Sequence, residues 1–168
     1  MSRAGRPQLV ALPGYGERQP EVLFCGHCGA PPEQGDTDVA TRVCDRCSLG
    51  LLISAPADAV PAADAPFLLV DSSLSVCGVS RLAERALGLG ETEAVNRHVT
   101  ELLVPADCEG VGPESLVNLL LHAARGEGEV HKVVLRPTRE FGIRFWAKIG
   151  PCGPPRAAVV TLSDGSRR

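Results

Sequence analysis

Four cysteines near the start of the chain form two matched pairs, Cys25/Cys28 and Cys44/Cys47, in the pattern C-x2-C-x15-C-x2-C. A two-residue gap lets a tight turn direct both sulfur atoms at one ion, and a second such turn completes a tetrahedral set of four thiolates. Structural Zn²⁺ sites commonly have this ligand set and this spacing. The pattern therefore predicts that Cys25, Cys28, Cys44 and Cys47 bind one structural Zn²⁺.

Such a site would also explain how this part of the chain folds. A unit of about 35 residues buries too little surface to be stable alone. Structural Zn²⁺ contributes of the order of 10 kcal/mol. Gly26 and Gly29 each follow one cysteine of the first pair, and glycine permits the positive φ angles of such turns. The segment resembles a zinc ribbon, so we expect a four-cysteine ribbon over residues 21–54 with closed coordination.

Other uses of these cysteines fit the sequence less well. Disulfides are rare in a reducing cytosol. A redox pair is typically found at a helix N-terminus in a strand-helix-strand unit, and neither pair has that context. A redox sensor that releases its metal on oxidation remains a weaker alternative. Because four cysteines already saturate the metal, we predict that His27, inside the first pair, is a solvated loop residue.

Three cysteines lie outside the metal pattern. Cys77 falls in an apolar strand-like run, which predicts a small core side chain. Cys108 and Cys152 are predicted to lie in loops, and neither has an obvious basic neighbour that would activate its thiol. The sequence leaves open whether any of the three is redox-active.

Composition limits what the rest of the chain can be. With 168 residues, 44% of them hydrophobic, the chain has room for a small domain and one of about 100 residues. Only 4% of the residues are aromatic, so we expect a core of Leu, Val, Ile and Ala. No apolar run reaches the ~18 residues of a membrane-spanning helix, and no sustained apolar segment follows Met1. We therefore expect no membrane association, no signal peptide and a cytoplasmic location.

The distribution of charge says more about partners than the net charge of −3. Residues 20–54 contain five carboxylates but only two arginines, Arg42 and Arg46, so the predicted ribbon is acidic. A surface that binds nucleic acid is normally basic. Direct nucleic-acid binding is therefore not expected of this segment, whereas contact with a protein partner remains open.

Changes in composition divide the chain into segments. The first residues lack periodicity, and "SAPADAVPAADAP" has the composition of a semi-rigid, weakly folded linker. We predict a flexible arm (1–20), the four-cysteine zinc ribbon (21–54), a Pro/Ala linker (55–65), a compact domain (66–164) and a tail (165–168).

Sequence patterns in the compact domain indicate two strands, then several helices, then three strands. "FLLVD" and "LSVCGVS" are strand-like runs joined by turn residues from Asp71. "SRLAERALGL" predicts a short helix with Ser80 as its N-cap, "HVTELL" another helical piece, and "GPESLVNLLLHAARGEG" the clearest helix, with Pro113 near its start. The strand-like runs "EVHKVVLRP", "GIRFWAKIG" and "RAAVVTLSD" follow. This order predicts an α+β fold: a five-stranded, largely antiparallel sheet with helices on one side.

The stretch from Ala65 to Asp164 resembles a PAS domain. The resemblance rests on Asp71 at the end of the first strand, on Leu87-Gly88 at the end of a helix, and on Leu102-Leu103 in a following segment. Cys77 and Gly78 depart from the pattern, since a polar run is more usual before the helix. The resemblance implies a domain that holds a small ligand between sheet and helices, or that holds none and mediates dimerisation.

No cofactor can be assigned to this domain from its residues. His122 is the candidate haem ligand on the long helix, but at 100° per residue it falls opposite the apolar face and should point to solvent. His98 and His131 have no better context, and the cysteine of flavin photosensors is missing from "VNRHVTELL". An unidentified small ligand among Leu102, Leu119 and Phe145 stays open, although sheet-helix packing needs these residues anyway.

The sequence shows no recognisable set of catalytic residues, so we expect no enzymatic activity. The first hypothesis is a non-enzymatic signalling protein, in which a PAS-type sensor or protein-interaction module is joined to a structural zinc ribbon. Its output would pass through protein partners, with a homodimer among the expected assemblies. The alternative is a zinc-ribbon regulator associated with transcription, which contacts nucleic acid or polymerase.

Overall fold

The computed structural model of this chain describes residues 20–32, 42–106, 112–140 and 142–164, which form two sheets and three α-helices. The strands are β1 (Glu21–Cys25), β2 (Leu52–Pro56), β3 (Phe67–Val70), β4 (Val76–Val79), β5 (Leu103–Pro105), β6 (His131–Pro137), β7 (Phe145–Cys152) and β8 (Ala157–Asp164). The helices are α1 (Arg81–Leu87), α2 (Glu91–Ala94) and α3 (Pro113–Ala124), and Val99–Glu101 form a 3₁₀ turn. The predicted tail, nearly all of the predicted arm, and Cys108 lie outside the described residues.

The larger sheet has six strands in the order β4-β3-β8-β7-β6-β5, and all neighbours are antiparallel. The predicted α+β class, with helices on one side of an antiparallel sheet, is confirmed. The predicted count of five strands is wrong. The stretch "HVTELL" was predicted to be helical, but only its 3₁₀ turn is, and Leu103 then begins β5, which pairs with β6. Pro105 is the last residue of this strand, and its missing N–H is tolerated because β5 lies at the edge of the sheet.

Two of the helices begin and end as their sequences predict. Ser80 is the N-cap of α1, where its Oγ accepts hydrogen bonds from the N–H groups of Ala83 and Phe67. The cap therefore also ties the helix to β3. Gly88 ends α1 with a φ of 59°, a left-handed conformation that glycine adopts without strain. Pro113 occupies the first turn of α3, where no N–H is needed.

The main core lies between the helices and the inner face of the six-stranded sheet. It is aliphatic, as the low aromatic content predicts, and its largest fully buried members include Leu68, Val70, Val76, Leu103, Leu116, Leu120, Leu135, Ile149 and Leu162. Both Leu116 and Leu120 lie one turn apart on α3, so that helix presents one apolar stripe to the sheet.

Strand β8 is buried on both faces, because the helices cover one face of the six-stranded sheet and the second sheet covers part of the other. Ala158, Val160 and Leu162 face the main core, whereas Ala157 and Val159 belong to a separate apolar cluster on the outer face of the sheet. The cover on that outer face is the antiparallel hairpin of β1 and β2. We call residues 20–32 and 42–56 the metal hairpin, and the cluster beneath it the outer cluster.

The predicted Pro/Ala linker packs against the sheet more closely than its composition indicates. Its first two residues, Ala55 and Pro56, complete β2, and Ala59 and Pro61 are buried. A Cβ at Gly150 of β7 would lie 2.7 Å from the Cβ of Ala59, so small residues on both sides allow this close approach. The division into domains stays a prediction, but residues 55–61 connect the hairpin and the sheet as packed structure.

Candidate metal centre and its hairpin

The fold brings the four paired cysteines together. Their sulfur atoms all lie within 4.8 Å of one another, and no histidine or carboxylate joins this group in the described part of the chain. The Sγ atoms of Cys25 and Cys47 are 3.6 Å apart, and those of Cys28 and Cys44 are 3.8 Å apart. Both short distances join one pair to the other, so the two turns face each other across a single centre. The four thiols could bind a metal ion.

Backbone N–H groups in both turns point at the sulfur atoms. The Cys25 Sγ accepts hydrogen bonds from the N–H groups of His27 and Cys28, each at 3.4 Å. The Cys47 Sγ accepts one from the N–H of Gly50, also at 3.4 Å. Hydrogen bonds to sulfur favour the thiolate, which is the form that binds metal. Each turn therefore directs backbone N–H groups at a sulfur atom of its own pair.

The cysteines differ in how firmly they hold their protons. Burial raises the pKa of the Cys25 thiol to about 12, and burial also raises the pKa of Cys28. At Cys47, burial works in the same direction but is outweighed by the N–H groups of Gly50 and Leu49, and the pKa falls to about 6. A metal ion that binds here must therefore displace protons from Cys25 and Cys28.

Gly50 is a site residue that the sequence analysis did not identify. A Cβ at this position would collide with the Sγ of Cys25 and would lie 2.7 Å from the Cβ of His27. The second turn can thus close over the first only if residue 50 has no side chain. The glycine follows "CDRCSL" three positions after Cys47, where spacing alone did not distinguish it from an ordinary turn glycine.

The metal hairpin is attached to the sheet through aromatic and aliphatic contacts. Phe24 of β1 and Phe67 of β3 meet edge to face, with ring centroids 5.9 Å apart and an interplanar angle of 80°. Ile53 and Ala55 of β2 complete the hairpin's side of the outer cluster, opposite Val159. Cys25 directly follows Phe24, so the residue that anchors the hairpin and the first metal-site thiol are neighbours in one strand.

A polar contact joins the hairpin to the far end of β7. The backbone N–H groups of Ser54 and Gly153 donate to each other's carbonyl oxygens, at 2.7 and 2.9 Å. The Ser54 hydroxyl lies 3.0 Å from the Gly153 carbonyl oxygen and 2.7 Å from the Glu21 carboxylate. The hairpin is therefore held against the sheet at its outer end as well as near the cysteines.

Three predictions about individual residues are wrong. His27 is half-buried rather than solvated, and its Nε2 is enclosed with no hydrogen-bond partner among the described residues. Cys77 is exposed rather than in the core, because strand alternation directs Val76 inward and Cys77 to the outer face. Cys152 lies in β7 rather than in a loop, and its buried thiol donates to the Ala157 carbonyl oxygen at 3.4 Å.

The residues considered for a ligand pocket take part in the main core. Leu102 and Phe145 are buried in it, and Leu119 packs against it. Two clefts lie elsewhere. A small one is lined by residues near Arg97 and Arg139, and one of about 1030 Å³ is lined by the outer end of the hairpin, the turn after α3 and the β7–β8 turn. The side chain of His122 is 63% exposed, as its helical angle predicts.

The described residues include no helix that is long and apolar enough to span a membrane. No protein-family model matches the chain, and the search of curated proteins found no match.

Several solved structures are similar to this chain. The PAS domain of nitrogen regulation protein NR(II) from Vibrio parahaemolyticus is 14% identical, with a TM-score of 0.44 over 65% of this chain and 96% of that one. The PAS domain of an HTR-like protein from Haloarcula marismortui is 13% identical, with a TM-score of 0.46 over 60% and 80%. A PAS domain from Colwellia psychrerythraea is 15% identical, with a TM-score of 0.48 over 62% and 88%. With TM-scores below 0.5, these similarities do not assign a function.

Proposed function

We propose that Cys25, Cys28, Cys44 and Cys47 hold one structural Zn²⁺. Around a tetrahedral ion with metal–sulfur bonds of about 2.3 Å, neighbouring sulfur atoms are about 3.8 Å apart. The distances of 3.6 and 3.8 Å across the centre agree with that geometry. When bound, Zn²⁺ supplies the thiolate bonds that close the two turns on each other. Four sulfur ligands leave no open position, so the proposed role is structural.

The wider function that we propose is non-enzymatic signalling: a PAS-type sensor or interaction module that carries this ribbon. The sequence resemblance of residues 65–164 and the helix-covered antiparallel sheet support it. Among the described residues, seven large hydrophobic side chains are exposed, and five of them lie on the metal hairpin: Val22, Leu23, Val43, Leu49 and Leu51. Leu49, at the tip of the second turn, is 71% exposed. This apolar hairpin surface carries the proposal, because such patches are typical of protein-binding sites.

The metal and the sensor parts of this proposal can be tested on one preparation. Native mass spectrometry of the purified full chain should show one Zn²⁺ per chain, and Co²⁺ substitution should give the visible absorption of a tetrahedral thiolate site. A chain purified without any metal would contradict the ribbon. A further mass or a visible chromophore in the Zn²⁺ form would identify a sensor ligand, and its absence would favour the interaction module.

The interaction surface needs its own test. Protein captured from an extract by the wild-type chain should be lost with the double variant Leu49→Ser, Leu51→Ser. The control, Ile143→Ser, changes an exposed hydrophobic residue outside the hairpin. Equal capture by the wild type and the hairpin variant, with metal content unchanged, would contradict a partner site on the hairpin.

A further inference from the structure

The only two lysines and the only tryptophan of the chain lie together on the outer face of the six-stranded sheet. Lys132 of β6 and Lys148 of β7 are directly opposite each other, and Trp146 is opposite Val134 one step further along the same two strands. Like charges directly opposite each other destabilise a sheet. The chain has 17 lysine and arginine residues, nearly all of them arginine, so composition alone does not account for two lysines that lie opposite each other.

Neither ammonium group has a carboxylate partner among the described residues. The Lys148 Nζ donates to the backbone carbonyl oxygen of Asp58 at 2.8 Å, and the described ion pairs are elsewhere, Arg97 with Glu101 and His122 with Glu127. The two lysines therefore form a basic pair beside an aromatic side chain, and no carboxylate of the described residues forms an ion pair with either of them.

Trp146 is available for contact. Its side chain is 56% exposed, whereas the neighbouring inward residues Phe145 and Ala147 are buried. The metal hairpin covers the other end of the outer face, over Cys152 and Val159, and leaves the tryptophan uncovered. Residues two apart on a strand are about 7 Å apart, so the indole lies roughly one nucleotide's length from the lysine pair.

We propose that this face, defined by Lys132, Val134, Trp146 and Lys148, binds single-stranded nucleic acid. Phosphates would contact the lysine ammonium groups and a base would stack on the indole, a combination of cations and an aromatic ring that is typical of sequence-tolerant single-strand binding. An acidic protein segment could not bind here by adding a strand to the sheet. Strands β6 and β7 both have neighbours on each side, so no free edge is available for an added strand.

This proposal reverses the expectation drawn from the ribbon. That expectation rested on the acidic residues between 20 and 54, and for those residues it stays a prediction. The basic surface is formed by residues more than 70 positions later in the sequence, on two strands whose pairing the sequence did not show. The proposal does not require the metal, so its failure would leave the proposed ribbon unaffected.

The test uses the full chain and its single tryptophan as an internal probe. A labelled oligothymidylate of about 12 nucleotides, within the site size of single-strand binding domains, is titrated at low salt. We expect saturable binding by fluorescence anisotropy and quenching of Trp146 emission at the same concentrations. Each phosphate contact should contribute about −0.7 to the slope of log affinity against log salt.

Variants separate the roles of the two residue types. The double variant Lys132→Gln, Lys148→Gln should reduce that slope by about 1.4, whereas its charge-matched control, Arg81→Gln, Arg85→Gln on exposed positions of α1, should leave it unchanged. Trp146→Ala should weaken binding roughly 5- to 150-fold, and Trp146→Phe should restore most of it through stacking. Circular dichroism and thermal unfolding check that each variant is folded.

Three results would overturn the proposal. The first is no binding or quenching at the lowest salt concentration. The second is equal loss of affinity in the lysine variant and the α1 control. The third is equal binding of a labelled polyglutamate peptide, which would show that the face recognises acidic polymers in general rather than nucleic acid.

Discussion

The metal hairpin and the six-stranded sheet differ in how much apolar surface each has to stabilise it. Among the described residues, the main core contains 22 buried side chains, drawn from the helices, the sheet and their connections. The outer cluster contains eight, and the hairpin supplies only Phe24, Ile53 and Ala55 of these. Three side chains cannot offset the conformational entropy of ordering the hairpin. With the proposed Zn²⁺ site, we expect the sheet to fold from packing alone and the hairpin to need both the metal and the sheet.

This comparison predicts that the two regions respond differently to the same perturbation. Removal of metal ligands should unfold the hairpin and leave the main core in place. Core truncation in the sheet should destabilise the whole chain, because the hairpin rests on β3 and β8.

The largest effect is expected from Cys44→Ser. Loss of one buried ligand should abolish stoichiometric Zn²⁺ binding, which contributes of the order of 10 kcal/mol to the fold of such a unit. We expect the sheet's thermal transition to persist at reduced temperature, because the outer cluster loses its cover. Exposed Cys77→Ser is the matched control and should keep one Zn²⁺ per chain by mass spectrometry. A metal-free Cys44→Ser protein with an ordered hairpin would contradict the asymmetry.

Phe24→Ala should have the next largest effect, about 3–5 kcal/mol, because it removes the hairpin's side of the edge-to-face contact with Phe67. We expect weaker Zn²⁺ binding in a chelator competition, since the anchor of the first turn is lost. Leu120→Ala is the comparison in the main core. Denaturant unfolding should show a free energy of unfolding that is lower by about 2–5 kcal/mol. The metal affinity of the folded chain should be unchanged. Indistinguishable metal affinities in the two variants would argue against coupling through Phe24.

Gly50→Ala tests the close approach of the two turns. The added Cβ would collide with the Cys25 Sγ, and overpacking of this kind typically costs about 1–3 kcal/mol. We expect a Zn²⁺ affinity roughly 5- to 150-fold lower by chelator competition, which is the same free energy expressed as a binding ratio. Gly112→Ala, where a Cβ meets nothing within 4 Å, should leave the affinity unchanged. Unaltered metal binding in Gly50→Ala would show that the turns have room to separate.

The smallest effect concerns the turn between β3 and β4. The Asp71 carboxylate accepts hydrogen bonds from the Ser73 N–H and hydroxyl and from the Ser75 N–H. Partial burial opposes ionisation, but these bonds prevail and lower the pKa of Asp71. Asp71→Ala should cost about 1 kcal/mol in denaturant unfolding.

The pH dependence of that effect follows from the direction of the shift. A carboxyl whose pKa is lowered by folding stabilises the native state fully above its unfolded pKa of about 4, and the stabilisation disappears as the pH falls through the folded pKa. The difference between wild type and Asp71→Ala should therefore be constant near neutral pH and should shrink below about pH 4. A difference that grows on acidification would contradict this assignment.

Local signals in the sequence predicted the elements that depend on local chemistry. The cysteine spacing identified the four thiols that the fold brings together, and Ser80 and Pro113 marked where helices begin. Contacts between distant segments were not predictable in the same way. The burial of Ala59 depends on the absence of a side chain at Gly150, about 90 residues away, and the lysine pair depends on the register of β6 and β7.

The central claim is that metal binding orders the hairpin on a sheet that is stable without it. Amide hydrogen exchange of the full chain, with Zn²⁺ bound and after chelation, tests this directly. We predict that the amides of His27, Cys28 and Gly50 lose their protection on chelation. The hydrogen-bonded amides of β7 and β8 should keep theirs. Retained protection in the hairpin after complete metal removal, or simultaneous loss of protection throughout the sheet, would contradict the claim.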